Sequence, residues 1–148
     1  MKILMVCLGN ICRSPLAEGI MQHLVKQNGL YWEIDSAGTG NWHVGEKPDK
    51  RSILTARNHG INIRKQVCRQ FSRSDFYDFD LILVMDKNNL EVALTMAPDK
   101  QAAAKVRLLL GDKEVPDPYY DDSQFEPVFK LIEQGCQDMI REIADKDI

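Results

Sequence analysis

Leu81-Ile82-Leu83-Val84-Met85 restricts the fold of this chain more than any other segment, because it is wholly apolar and shows no polar alternation. A strand of that kind must be covered on both faces, as happens in a parallel sheet held between helical layers. Residues 3–6, 32–37 and 106–110 read as three further strands. Helical patterns fall between them. Leu16, Ala17, Ile20, Met21, Leu24 and Val25 form one stripe at helix period. Ser14 is placed to cap that helix, Pro15 suits its first turn and Asn28-Gly29 marks its stop. A second helix opens at Pro48, carries Ile53, Leu54 and Ala56, and ends near His59-Gly60. A third carries Leu90, Ala93 and Leu94. The last spans residues 126–144, with Val128, Leu131, Ile132, Cys136, Met139, Ile140 and Ile143 as its buried stripe. Strand and helix alternate throughout. The expectation is a Rossmann-like three-layer α/β sandwich, with a four-stranded parallel sheet flanked by helices on both faces.

The 148 residues fit one domain, residues 1–148. A hydrophobic share of 44% and a charged share of 28% exclude a disordered or disulfide-scaffold chain. The formal net charge is −3, so there is no domain-wide basic footprint and no nucleic-acid partner is expected. No apolar run approaches the ~20 residues of a membrane span, and residues 1–6 lack a signal-peptide pattern. A cytoplasmic protein is expected, with Cys7, Cys12, Cys68 and Cys136 as free thiols.

The chemistry concentrates in Cys7-Leu8-Gly9-Asn10-Ile11-Cys12-Arg13-Ser14, which joins the first strand to the first helix. Ligands of open α/β sheets bind at the carboxyl ends of strands. The helix N-terminus adds uncommitted N–H groups and a dipole that favours anions. Gly9 and Asn10 tolerate the unusual backbone angles that turn successive amides into an anion nest. Arg13 adds a planar fork matched to phosphate oxygens. A Cys7 thiol at the floor of such a nest is favoured as the nucleophilic thiolate, with the Ser14 hydroxyl as a further donor. That arrangement suits attack of sulfur on phosphorus and a phosphocysteine intermediate.

A leaving alkoxide or phenolate needs a proton. Residues 111–125 form a long polar loop, and loops of that length in compact domains are commonly functional. Within it, Asp117 precedes Pro118, which restricts its backbone and helps to fix its side chain. Asp117 is the expected general acid, and then the base that activates water. Tyr119 and Tyr120 are placed to wall the entrance.

Together these stretches resemble the low-molecular-weight protein tyrosine phosphatase family over nearly the whole chain. Asp35-Ser36-Ala37-Gly38-Thr39, Trp42 followed by Val44-Gly45, Asp75-Phe76, Phe79-Asp80 and Met85-Asp86 add to the likeness. The resemblance implies hydrolysis of phosphotyrosine in proteins and of small aryl phosphates, with inorganic phosphate as product. It implies Cys7 as nucleophile, Arg13 as phosphate ligand and Asp117 as acid. Leu8, Gly9, Asn10, Ile11, Cys12 and Ser14 complete the phosphate loop, supported by Ser36. Leu8, Trp42 and Tyr119 or Tyr120 line the cleft, and Cys12 is the redox partner of Cys7. No metal or organic cofactor is implied. A bacterial tyrosine kinase of exopolysaccharide export is the implied partner class. One departure stands out: relatives often carry His where this chain has Gln66, three residues before Arg69-Gln70.

Two other functions fit the sequence less well. Thiol-coupled arsenate reduction needs relay cysteines on a flexible segment, and residues 70–99 contain none. A non-catalytic phosphate-binding module would not require Cys7, Arg13 and Asp117 together. His23, His43 and His59 lack metal-ligand spacing and read as surface or capping residues. Cys136 reads as core and Cys68 has no assigned role. Asp121 and Asp122 read as part of a solvated loop.

Overall fold

The computed structural model describes residues 1–146. Its elements run β1 (Lys2–Cys7), α1 (Arg13–Gln27), β2 (Glu33–Gly38), α2 (Lys50–Asn58), α3 (Asp75–Asp78), β3 (Leu81–Val84), α4 (Lys87–Met96), α5 (Lys100–Ala103), β4 (Val106–Leu108) and α6 (Phe125–Lys146). The strands pair in the order β2-β1-β3-β4, all parallel. The apolar β3 lies inside this sheet, as its composition requires.

Alternation along the central strands feeds two cores. Ile3, Met5, Leu83 and Met85 pack with Leu16, Ile20 and Met21 of α1 and Phe129, Ile132 and Cys136 of α6. Leu4, Val6, Ile82 and Val84 face the other way, onto Phe71, Phe76 and Ala93. Both faces of the sheet are therefore dry, and the polar ends of the strands are where a ligand can approach.

Several boundaries differ from those expected. Ser14 does not cap α1: Cys12 holds that position and no side chain caps the helix. The Ser14 side chain, two residues further in, bonds within the loop instead. Asp49, not Pro48, starts α2, by accepting the N–H of Arg51 at 2.8 Å. The fourth strand stops at Leu108. Two short helices, α3 and α5, had no sequence period long enough to reveal them. Leu54 and Leu131 lie at the edges of their helical stripes and are partly solvated. The expected stop of α1 holds, with Asn28 as its last cap and Gly29 at φ 66°. Among the described residues, no helix is long and apolar enough to cross a membrane.

Candidate active site

Cys7 ends β1, and the chain then curls through residues 8–12 into α1. The curl depends on Asn10, the one non-glycine residue with positive φ among those described, at 57°. Asparagine tolerates this region better than most residues. Here its buried side chain is also bonded on every side: Nδ2 donates to Ser14 Oγ at 2.8 Å and Ser36 Oγ at 3.0 Å, and Oδ1 accepts the Arg69 N–H at 3.0 Å.

The loop carbonyls are drawn outward. Cys7 O and Leu8 O accept the N–H groups of Thr39 and Gly40, both at 2.9 Å, and Ile11 O accepts that of Asp49 at 2.8 Å. Asn10 O accepts the Cys68 thiol at 2.7 Å, and Cys12 O accepts the Ser52 hydroxyl at 3.3 Å. With those carbonyls committed outside, the amides between them are left to the inside. Among the described residues, no N–H from Leu8 to Ser14 has an acceptor. The uncapped start of α1 continues this row, so the loop has the features of an anion nest. Gly38 lets β2 approach from behind, since a Cβ there would stand 2.9 Å from Leu8 O and 3.0 Å from Asn10 N.

Cys7 Sγ lies 3.0 Å from Ser14 Oγ, and the cysteine is only 3% exposed. Arg13 is equally buried. Its Nη1 donates to Asp86 Oδ2 at 2.8 Å and Val115 O at 3.0 Å, which aims the guanidinium. Its Nη2 lies 3.8 Å from Asp117 Oδ2. Burial alone would lower the Arg13 pKa, but the charges of Cys7, Asp86 and Asp117 outweigh it and push it up, so the group stays cationic.

A cavity of about 320 Å³ opens above the sulfur. Cys7, Leu8, Gly9, Ile11, Cys12 and Arg13 form its floor, and Trp42, His43, Asp117, Tyr119 and Tyr120 its walls. The structure thus brings together the expected nucleophile, cation, acid and cleft residues. Asn10, Ser14 and Ser36 stand behind the floor as supports. Cys12 shares the cavity with Cys7, and burial, with the negative charges of Asp49, Cys7 and Asp117, pushes its thiol up to about 12. It therefore keeps its proton. Among the described residues, no cluster of His, Cys, Asp and Glu could hold a metal ion.

Several further residues take part. His43, expected at the surface or as a cap, lines the cavity, with Nδ1 2.8 Å from Glu46 Oε2. Its place beside Trp42 was the available signal. Cys68 had no assigned role, yet its thiol holds Asn10. Arg51 chelates Asp49 through Nε and Nη2 at 3.0 and 2.9 Å. Its Nη1 reaches Tyr119 O at 2.9 Å and Asp122 Oδ1 at 2.6 Å, and the guanidinium sits over the Tyr119 and Phe125 rings. This arginine ties the loop bearing Asp117 to the start of α2. Behind the phosphate loop, buried Glu18 accepts the Ser36 hydroxyl at 2.7 Å. Burial pushes its carboxyl up to about 7, against the hydrogen bond from Ser36. Gln66 donates to Pro15 O at 3.0 Å, in the first turn of α1, and its buried Oε1 has no partner among the described residues. The amide thus touches the helix behind the loop and not the loop itself.

The chain is similar to known proteins in sequence and in fold. The sequence profile of the family described as low molecular weight phosphotyrosine protein phosphatase matches residues 2–147. The low molecular weight protein-tyrosine-phosphatase YfkJ of Bacillus subtilis is 42% identical, over 96% of this chain and 95% of its own. A crystal structure of a protein tyrosine phosphatase from Entamoeba histolytica, with Hepes in its active site, superimposes with a TM-score of 0.93 at 34% identity, covering 100% of this chain and 99% of that one. Vibrio vulnificus Wzb in complex with benzylphosphonate superimposes at 0.86 and 30% identity, over 95% and 97% of the two chains. The chain belongs to the low molecular weight protein-tyrosine-phosphatase family, whose members are cysteine-dependent hydrolases of phosphate esters.

Proposed function

We propose that Cys7, Arg13 and Asp117 carry the hydrolysis of phosphotyrosine in this enzyme. The observation that supports this most directly is the position of Cys7 Sγ, beneath a cavity whose floor offers uncommitted amides and a buried guanidinium. The Ser14 hydroxyl lies 3.0 Å from that sulfur, and α1 starts beside it with its first N–H groups uncapped. Sulfur attacks phosphorus opposite the ester oxygen, so the S–P bond forms as the P–O bond breaks. Asp117 gives its proton to the departing phenolate. Water then attacks phosphorus while Asp117 takes its proton, the S–P bond breaks and inorganic phosphate leaves. Charge on the equatorial oxygens is met by the loop amides and by Arg13 Nε and Nη2, since Nη1 is engaged by Asp86 and Val115.

Depth supports an aromatic ester. Sulfur lies at the floor, whereas Leu8, Trp42 and Tyr120 at the mouth are 45%, 66% and 91% exposed. A phenyl ring reaches further from the phosphate than a serine side chain and packs on aromatic walls. The substrate is accordingly a phosphotyrosyl protein in the cytoplasm, where thiols stay reduced. A bacterial tyrosine kinase of exopolysaccharide export is the partner that the family resemblance suggests. Cys12 guards the nucleophile: when peroxide oxidises Cys7 to the sulfenic acid, the Cys12 thiol condenses with it and water is released. A dithiol then restores both thiols.

The test is turnover of p-nitrophenyl phosphate by wild type and Cys7→Ser. Activity is expected to vanish while phosphate binding persists. Turnover near the wild-type rate would refute the phosphocysteine route.

A further inference from the structure

The chain has a formal net charge of −3, yet residues 47–65 carry six cations against the single carboxylate of Asp49. Arg51 is occupied by Asp49 and Asp122. Lys47, Arg57, Arg64 and Lys65 are exposed, and none forms an ion pair among the described residues. They border two grooves that share Ile53, Asn62 and Arg64. One runs past Arg57, and the other, of about 530 Å³, reaches Lys47 and Lys65. No carboxylate lines either groove.

This basic surface connects to the active site. Lys47 follows closely on Trp42 and His43 in the cavity wall. Its carbonyl lies 3.8 Å from Cys68 Sγ, and the same thiol bonds Asn10 in the phosphate loop. The loop that Arg51 ties to the start of α2 has the reverse sign. Residues 112–126 hold six carboxylates and one lysine, and Asp117 of that segment lines the cavity. A polypeptide that leaves the cavity along the two basic grooves therefore meets unpaired positive charge, whereas one that leaves along residues 112–126 meets negative charge.

We propose that the groove bordered by Lys47, Arg57, Arg64 and Lys65 docks an acidic stretch of the substrate protein, next to the phosphotyrosine seated over Cys7. The proposal rests on the phosphatase reading above and adds the class of substrate it favours. Unpaired rim cations suit this role: they lose little on meeting carboxylates, they steer encounter, and their effect is screened by salt.

The experiment compares kcat/KM for two phosphotyrosyl peptides of equal length, one flanked by Asp and Glu and one by Ser and Gln. Wild type is set beside a protein carrying Arg57→Gln, Arg64→Gln and Lys65→Gln. Wild type is expected to prefer the acidic peptide by about tenfold at low ionic strength, with the preference fading at high salt. The triple variant is expected to lose the preference and to keep wild-type turnover of p-nitrophenyl phosphate. An unchanged preference in the variant overturns the proposal. So does a parallel loss of p-nitrophenyl phosphate turnover, which would mean that these cations act through the fold. Binding of anionic lipid vesicles by wild type alone, without any peptide preference, would assign the groove to a membrane surface instead. A wild-type enzyme inert toward p-nitrophenyl phosphate would refute the phosphatase reading itself, a result separate from all of these.

Discussion

Glu18 offers a quantitative test of how the phosphate loop is supported. Its carboxylate lies behind the loop at 8% exposure, accepting from Ser36 and from Gln22. Burial, reinforced by Asp35, pushes it from 4.5 to about 7, and the bonds from Ser36 and Gln22 and the charge of Arg69 recover only part of that. Because the folded value lies above the unfolded one, the protonated form is the one that suits the fold. As far as this group is concerned, stability is complete below about pH 4.5 and is lost as pH rises through about 7. Fully ionised, Glu18 costs the fold about 3 kcal/mol. Glu18→Gln keeps an acceptor for Ser36 and removes the charge. Urea unfolding, followed by Trp32 and Trp42 fluorescence, should show the variant stabilised by under about 1 kcal/mol near pH 5, rising to about 3 kcal/mol by pH 8. At neutral to alkaline pH this corresponds to a rise in Tm of roughly 6–12 °C. A variant less stable than wild type at every pH, or a gain that does not change with pH, would refute the account of Glu18 as a buried carboxylate.

Asp117→Asn should slow the release of poor leaving groups most, by about 10²-fold or more for phenyl phosphate and much less for p-nitrophenyl phosphate. Equal losses across a series of phenols would remove its role as acid. Arg51→Ala, which frees the Asp117 loop from α2, should lower kcat for phenyl phosphate roughly fivefold and cost about 1 kcal/mol of stability. In an Asp117→Asn background the same change should leave kcat nearly untouched, and an additive loss would refute the positioning role. Cys12→Ser should be inactivated by peroxide as wild type is but should recover poorly on adding thiol. Equal recovery would show that Cys12 does not resolve oxidised Cys7.

Much of this site was legible because it is local. Cys7, the nest and Arg13 occupy one short stretch, and Asn10 shapes it through its own backbone angle; Gly9, expected to share that part, has no positive φ. Asp117, which the structure places in the cavity wall, is marked in the sequence by Pro118 and two tyrosines. Ser14 lies in the phosphate loop, where its hydroxyl meets Cys7 Sγ and the Asn10 amide, but it does not cap the helix. The residues whose place the sequence does not show have one thing in common. His43 and Cys68 look unremarkable among their sequence neighbours, and only the packing of residues 43–46 against residue 68 brings one to the cavity and the other to Asn10.

The sequence by itself determined the layers and the chemistry. An apolar β3 between helical periods leaves few architectures other than a covered parallel sheet, and a cysteine, a glycine-asparagine pair and an arginine in one strand-to-helix loop carry their meaning locally. Tertiary structure decided how that loop is held. Asp86 reaches Arg13 across 73 positions of sequence, Arg51 reaches Tyr119 across 68, and Glu18 becomes a protonatable support only once α1 and β2 close over it. Charge, burial and hydrogen-bond direction at those points depend on distances between remote segments. No periodicity or spacing along the chain encodes them until the sheet has formed.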